Sequence, residues 1–166
     1  VPVAPNPTKV LLYIAEKKHA GTNIALEEIV VNTLKNEQNS EAHLARNPFG
    51  SLPVLEVVPG DCIVESLSII DYLEDLYPES SMWGMGQRER VRARELERIA
   101  DLRILLQIGR LVHATKSPIG LPPNEYAAEQ ARRALPAAFG YFDRVLRDGR
   151  PFLLGNAVSV ADCTLQ

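Results

Sequence analysis

The feature that most restricts the fold is a change of hydrophobic period near residue 84. Before it, short apolar runs alternate with amphipathic stretches; after it, every patterned stretch has helical spacing. Mixed and all-helical patterns bury their apolar faces in different kinds of layer, so two structural units are expected. The charges change at the same place. Residues 1–83 carry twelve Asp and Glu against five Lys and Arg, whereas residues 84–166 carry nine against thirteen. We expect an α/β unit over residues 1–78, a linker over 79–86 and an all-helical unit over 87–166. At 166 residues the chain is long enough to bury a core.

Within the first unit, Asn6-Pro7 predicts a helix start, with Asn6 as cap and Pro7 at the first helical position. Val10, Leu11 and Ile14 supply its apolar stripe, and Gly21 its stop. Ala25 to Val31 reads as a strand, and Ser40 to Arg46 as a short helix closed before Asn47-Pro48. Leu52 to Val58 and Cys62 to Val64 read as strands around a Pro59-Gly60-Asp61 turn. Glu65-Ser66 then opens a helix carrying Leu67, Ile70, Leu73 and Leu76, ended by Pro78.

In the second unit a long helix is expected from residue 87 to about 115, solvated in its first half and centrally buried from Ile104 to Val112. A further helix runs from about Asn124 to Asp148, kinked at Pro136. Ser159 to Asp162 reads as a capping box that opens one more helix. That helix stops two turns later at Gln166, and a strand reads as cut off before Val1, so both units are expected to be incomplete.

A net charge of −3 argues against nucleic-acid binding. No apolar run is long enough for a membrane span, and Val1-Pro2-Val3 lacks the character of a secretory signal. A soluble protein that stays in the cytoplasm is expected. Cys62 and Cys163 form no CxxC, and read as reduced thiols; His19, His43 and His113 form no metal-ligand spacing, so no metal is expected.

Three features point to an anionic, peptide-like ligand. Glu65-Ser66 lies where a strand feeds a helix, and helix N-termini present free N–H groups to carboxylates. Ser66 reads equally as a plain cap. Ser51-Leu52-Pro53 begins a strand; a cis bond before Pro53 would leave the Leu52 backbone groups open to an extended peptide, whereas a trans proline would simply start the strand. Asn6 and Thr8 offer small donors at the first helix, or cap it.

Asn47-Pro-Phe-Gly-Ser-Leu-Pro-Val-Leu-Glu56 followed by Glu65-Ser-Leu-Ser-Ile-Ile-Asp-Tyr-Leu73 resembles the N-terminal domain of the cytosolic glutathione transferases. Phe152-Leu-Leu-Gly155 with Ser159-Val-Ala-Asp162 is similar to the C-terminal motif of the same family. The resemblance implies a thioredoxin-like N-terminal domain plus an all-α C-terminal domain, with glutathione as cosubstrate. It places the γ-glutamyl carboxylate on Ser66, the γ-glutamyl group by Glu65, and the cysteinyl part on the Leu52 backbone ahead of cis-Pro53. The glycyl end would lie near Ser51 and Gln38, where the family often has longer or basic side chains.

The resemblance sets the family's activating serine on Ala4, which cannot donate to a thiolate; some bacterial members use an asparagine or threonine near the start of the first helix instead, and by that resemblance Asn6 is the expected catalytic donor. Asp162 would be structural. The function implied is glutathione transfer to a hydrophobic electrophile, in detoxification, by a homodimer without nucleic-acid or membrane partners. Asp101 would face the glutathione amine across the dimer or form a surface salt bridge. A glutathione-dependent disulfide reductase and a non-catalytic binding protein are the alternatives.

Overall fold

A computed structural model describes residues 4–166; the end of the N-terminal strand expected before Val1 falls outside them. The chain divides between Ser81 and Met82 into two compact units.

The first unit contains α1 (Pro5–His19), α2 (Glu41–Leu44), β1 (Leu55–Val58), β2 (Asp61–Ile63) and α3 (Ser66–Leu76). Two single 3₁₀ turns, Thr33–Lys35 and Glu37–Asn39, precede α2. Helix α1 starts two residues earlier than its sequence suggests. Ala4 is the cap and Pro5 the first helical residue, so Asn6 lies inside the first turn and is not the cap. Proline decides this, because its fixed φ suits the first turn and its missing N–H costs nothing there. Val10, Tyr13 and Ile14 of α1 are buried with Ile69, Ile70 and Leu73 of α3, and the two helices pack together.

Strands β1 and β2 form an antiparallel hairpin with Leu55 opposite Ile63 and Glu56 opposite Cys62. Val58 pairs with Asp61, so Val57 is an extra residue that bulges β1 before the turn. The Glu56 carboxylate accepts the Gly60 N–H at 2.9 Å and pairs with Arg46 at 3.1 Å. These contacts hold its pKa below the ordinary value.

The strand expected over Ala25 to Val31 is absent. Residues 22–32 carry no regular element, and Ile29 and Val30 are exposed. A strand exists only as part of a ladder, and among the described residues the sheet holds β1 and β2 alone.

The second unit contains α4 (Gln87–Ile99), a π-helical turn (Ala100–Leu105), α5 (Leu106–Lys116), α6 (Glu125–Val145) and α7 (Val160–Thr164). Met82 and Trp83, within the stretch expected to be a linker, are buried here. Met82 O accepts the Val160 N–H, and the Arg94 guanidinium lies 5.2 Å from the Trp83 ring centre. Leu96, Ala100, Ile104, Ala138, Phe142 and Ala161 form the main core. Helix α6 runs unbroken through Pro136. The central burial expected from Ile104 to Val112 holds for Ile104 but not beyond. Leu106, Ile108 and Val112 are each about 40% exposed. Helix α6 packs on one side of α5, and one neighbour cannot cover an apolar stripe that runs round the helix.

Candidate functional site

The hydrogen bonds between α1 and α3 fix their relative direction. Tyr13 Oη donates to Glu74 Oε1 at 2.9 Å, and four residues on, Lys17 Nζ donates to the carbonyls of Tyr77 and Glu79 at 2.6 Å each. Contacts advance in the same sense along both helices, so α1 and α3 are parallel and their N-termini share one end of the unit. The hairpin delivers a third segment to that end. Its outermost pair is Leu55 and Ile63, with Leu52 three residues before the one and Ser66 three after the other, so both segments lie at the hairpin's open end. Asn6, Leu52-Pro53 and Glu65-Ser66 therefore gather at one end of the first unit.

The two helix ends differ in what they offer. In α3 the first helical bond runs from the Ile69 N–H to the Glu65 carbonyl, leaving the N–H groups of Ser66, Leu67 and Ser68 without a helical acceptor. Glu65 is the cap, exposed and making no side-chain cap bond, while Ser66 is buried at 7% exposure. Its hydroxyl has no hydrogen-bond partner among the described residues. Ser66 is thus the first helical residue, not the cap.

In α1 the first bond is Thr8 N–H to Ala4 O, and Pro5 and Pro7 have no N–H to give. Among the described residues, the single amide of that turn without an acceptor is Asn6's. The exposed Asn6 side chain makes no hydrogen bond among the described residues. The other small donor, the Thr8 hydroxyl, is already committed to Ala4 O at 3.0 Å.

The Leu52–Pro53 peptide bond is cis. Among the described residues no hydrogen bond engages the backbone N–H or C=O of half-buried Leu52. Just before it, the Ser51 carbonyl accepts from His43 Nε2 at 3.1 Å and Asn47 Nδ2 at 2.8 Å. Asn47 Nδ2 also reaches Ser51 Oγ at 2.9 Å. Gly50 has φ +60°, and a Cβ there would lie 2.7 Å from Asn39 Oδ1 and 3.3 Å from Gln38 O. Only glycine permits this approach, which brings the Gln38 backbone against the residue preceding Ser51. The Gln38 side chain donates to Asn36 Oδ1 at 3.3 Å, and its buried Oε1 has no hydrogen-bond partner among the described residues.

Sequence reasoning passed over His43 and Asn47. Their signal was present, since both are polar residues flanking the Ser51 segment, but only tertiary packing shows that their side chains turn toward Ser51. Asp101 pairs with Arg98 at 3.0 Å. Asp162 accepts from Leu153 N, Ser159 N and Ser159 Oγ at 3.0, 2.9 and 2.6 Å, which completes the capping box of α7. The best-formed cavities, about 340 and 500 Å³, lie along α4 and include none of the predicted site residues. Two of their arginines are engaged, Arg92 with Glu95 and Tyr141 and Arg150 with Asp148. Among the described residues no group of three His, Cys, Asp or Glu gathers as a metal site, and no helix is long and apolar enough to cross a membrane.

Residues 1–81 match the family model described as glutathione S-transferase, N-terminal domain. The chain is 28% identical to glutathione S-transferase 2 of Saccharomyces cerevisiae over 169 residues, covering 99% of this chain and 70% of that protein. It is 32% identical to human glutathione S-transferase theta-2B, covering 91% of this chain and 62% of that protein. The crystal structure of Gtt2 from Saccharomyces cerevisiae superposes with a TM-score of 0.83 at 28% identity, over 98% of this chain and 78% of the other.

Proposed function

Because this chain belongs to the glutathione S-transferase family, we propose that it is a glutathione transferase. It binds glutathione at the shared end of α1, α3 and the β1–β2 hairpin and activates the thiol for attack on an electrophilic small molecule. The observation that carries this reading is the pairing of two unlike helix ends beside an unpaired stretch of backbone.

The α3 end offers three unspent amides and the Ser66 hydroxyl, which suits a multi-oxygen anion such as the γ-glutamyl carboxylate. Glu65, exposed at the cap, contacts the γ-glutamyl group in this reading. The Leu52 N–H and C=O pair with the cysteinyl backbone as an added strand would. Ser51 and Gln38 take the glycyl end. The α1 end offers one amide and one free side chain, both from Asn6, which suits a single-atom anion, the sulfur.

The chemistry requires a modest shift. A free thiol has a pKa of about 8.5, and the thiolate is the reactive form. One aligned donor at a helix N-terminus lowers it by roughly one to two units. The thiolate then forms a C–S bond with an electrophilic carbon, the leaving group departs with its electron pair, and the thiol proton passes to solvent. The finer reading is a homodimer in the cytoplasm, working in detoxification on a hydrophobic electrophile. It rests on resemblance to the family.

Two measurements test the proposal. The chain is expected to be retained on immobilised glutathione and to turn over a chlorodinitrobenzene with release of chloride. Retention without turnover would leave a binding protein, and failure of both would overturn the assignment.

A further inference from the structure

We propose that His43 and Asn47 are positioning residues for glutathione, acting through the Ser51–Leu52 peptide; this rests on the glutathione-binding reading above. The Ser51 carbonyl oxygen and the Leu52 N–H belong to one peptide group. That bond is trans, since the cis bond is the next one along, and in a trans peptide the C=O and N–H point in opposite directions. His43 and Asn47 are buried, at 5% and 0% exposure, and both donate to the Ser51 oxygen. They anchor the carbonyl inward and thereby aim the Leu52 N–H outward, where it has no partner among the described residues.

Two features strengthen the device. Both acceptor sites of the Ser51 oxygen are filled, so the peptide plane cannot rotate without breaking two bonds. A carbonyl that accepts two hydrogen bonds also polarises its own peptide, which makes the Leu52 N–H a better donor. Asn47 adds a third constraint by donating to Ser51 Oγ, which leaves the hydroxyl proton free for an outside acceptor. Asn47 is held in turn by its Oδ1, which accepts the Phe49 N–H at 3.1 Å. His43 sits in the short α2 helix, whose Ser40 cap accepts the His43 N–H at 3.3 Å.

The test compares the parent chain with Asn47→Asp, His43→Leu and His43→Gln. Asn47→Asp keeps an acceptor for Phe49 but removes both donations to Ser51. His43→Leu removes one donor, and His43→Gln restores an N–H in its place. Asn47→Asp and His43→Leu are expected to raise the glutathione dissociation constant and KM about tenfold or more. The kcat at saturating glutathione should stay within about threefold and the KM for the electrophile should not move, a split that general destabilisation does not produce. His43→Gln should recover most of the loss. In the unliganded chain, the Leu52 amide ¹⁵N resonance should shift in Asn47→Asp and His43→Leu.

Where Asn47→Asp does not fold, His43→Leu and its rescue carry the same readings. Variants that bind glutathione within about twofold of the parent, or an unmoved Leu52 resonance, overturn the positioning role alone. A parent chain that binds no glutathione overturns the reading beneath it.

Discussion

Two prolines separate the roles of Asn6 and Ser66. With Pro5 and Pro7 on either side, Asn6 is, among the described residues, the source of unspent donors in the first turn of α1, whereas Ser66 adds its hydroxyl to three amides without a helical acceptor. Removing the Asn6 side chain should therefore act on the sulfur and not on affinity. Asn6→Ala is expected to raise the pKa of bound glutathione by about one unit, read from thiolate ultraviolet absorbance against pH. Rates then fall more below that pKa than above it; an unshifted titration removes Asn6 from thiol activation. Ser66→Ala should do the reverse, weakening glutathione about five- to tenfold with little change in the thiol titration. Calorimetry showing unchanged affinity would count against the carboxylate site. Both residues were legible in the sequence, but their helical positions were not, because the choice between Asn and Pro as helix opener turns on a single backbone angle.

The elements are held by two carboxylates, the half-buried Asp162 and the buried Glu74. Asp162 satisfies three donors at the start of α7 and ties that helix to Leu153. Asp162→Ala is expected to cost about 3 kcal/mol and to lower Tm by roughly 6–12 °C, measured by calorimetry; a drop of a degree or less would reduce the box to a minor cap. In the first unit, fully buried Lys17 lies 3.4 Å from Glu74 and bonds two carbonyls at the end of α3. Lys17→Met should cost about 3–5 kcal/mol, since it takes the cation from a buried carboxylate, and adding Glu74→Gln should recover part of that. Denaturant unfolding of the single and double variants checks the coupling. The Ser159–Asp162 box could be read from spacing because its partners lie three residues apart. The Lys17–Glu74 pair could not, because its partners come from different helices.

For the whole molecule, the charge asymmetry read from the sequence falls on the observed division after Ser81, with the acidic excess in the first unit and the basic excess in the second. The resolved carboxylate shifts point one way. The Arg150 side chain and backbone hold Asp148 down at about 2, and Glu56 and Glu129 are also lowered. A carboxyl depressed in the folded chain stabilises it above its unfolded value and loses that contribution as pH falls through the folded value. For Asp148 the loss runs from near 3.8 down to about 2. Tm should therefore decline across this window, and Asp148→Asn should flatten the decline, more so at low salt because the pair is exposed. Equal slopes in the two proteins would refute the assignment.

Local chemistry determined most of the helices, the hairpin turn, the capping box of α7 and the motif residues of the candidate site, since each depends on neighbours within a few positions. Tertiary structure decided the rest. A strand needs a ladder, so the β pattern of residues 25–31 stays irregular where, among the described residues, no strand lies beside it. An apolar stripe needs partners on every side, so α5 remains half exposed. A peptide N–H points outward only when distant side chains hold its carbonyl, and no spacing rule connects His43 and Asn47 to the donor at Leu52.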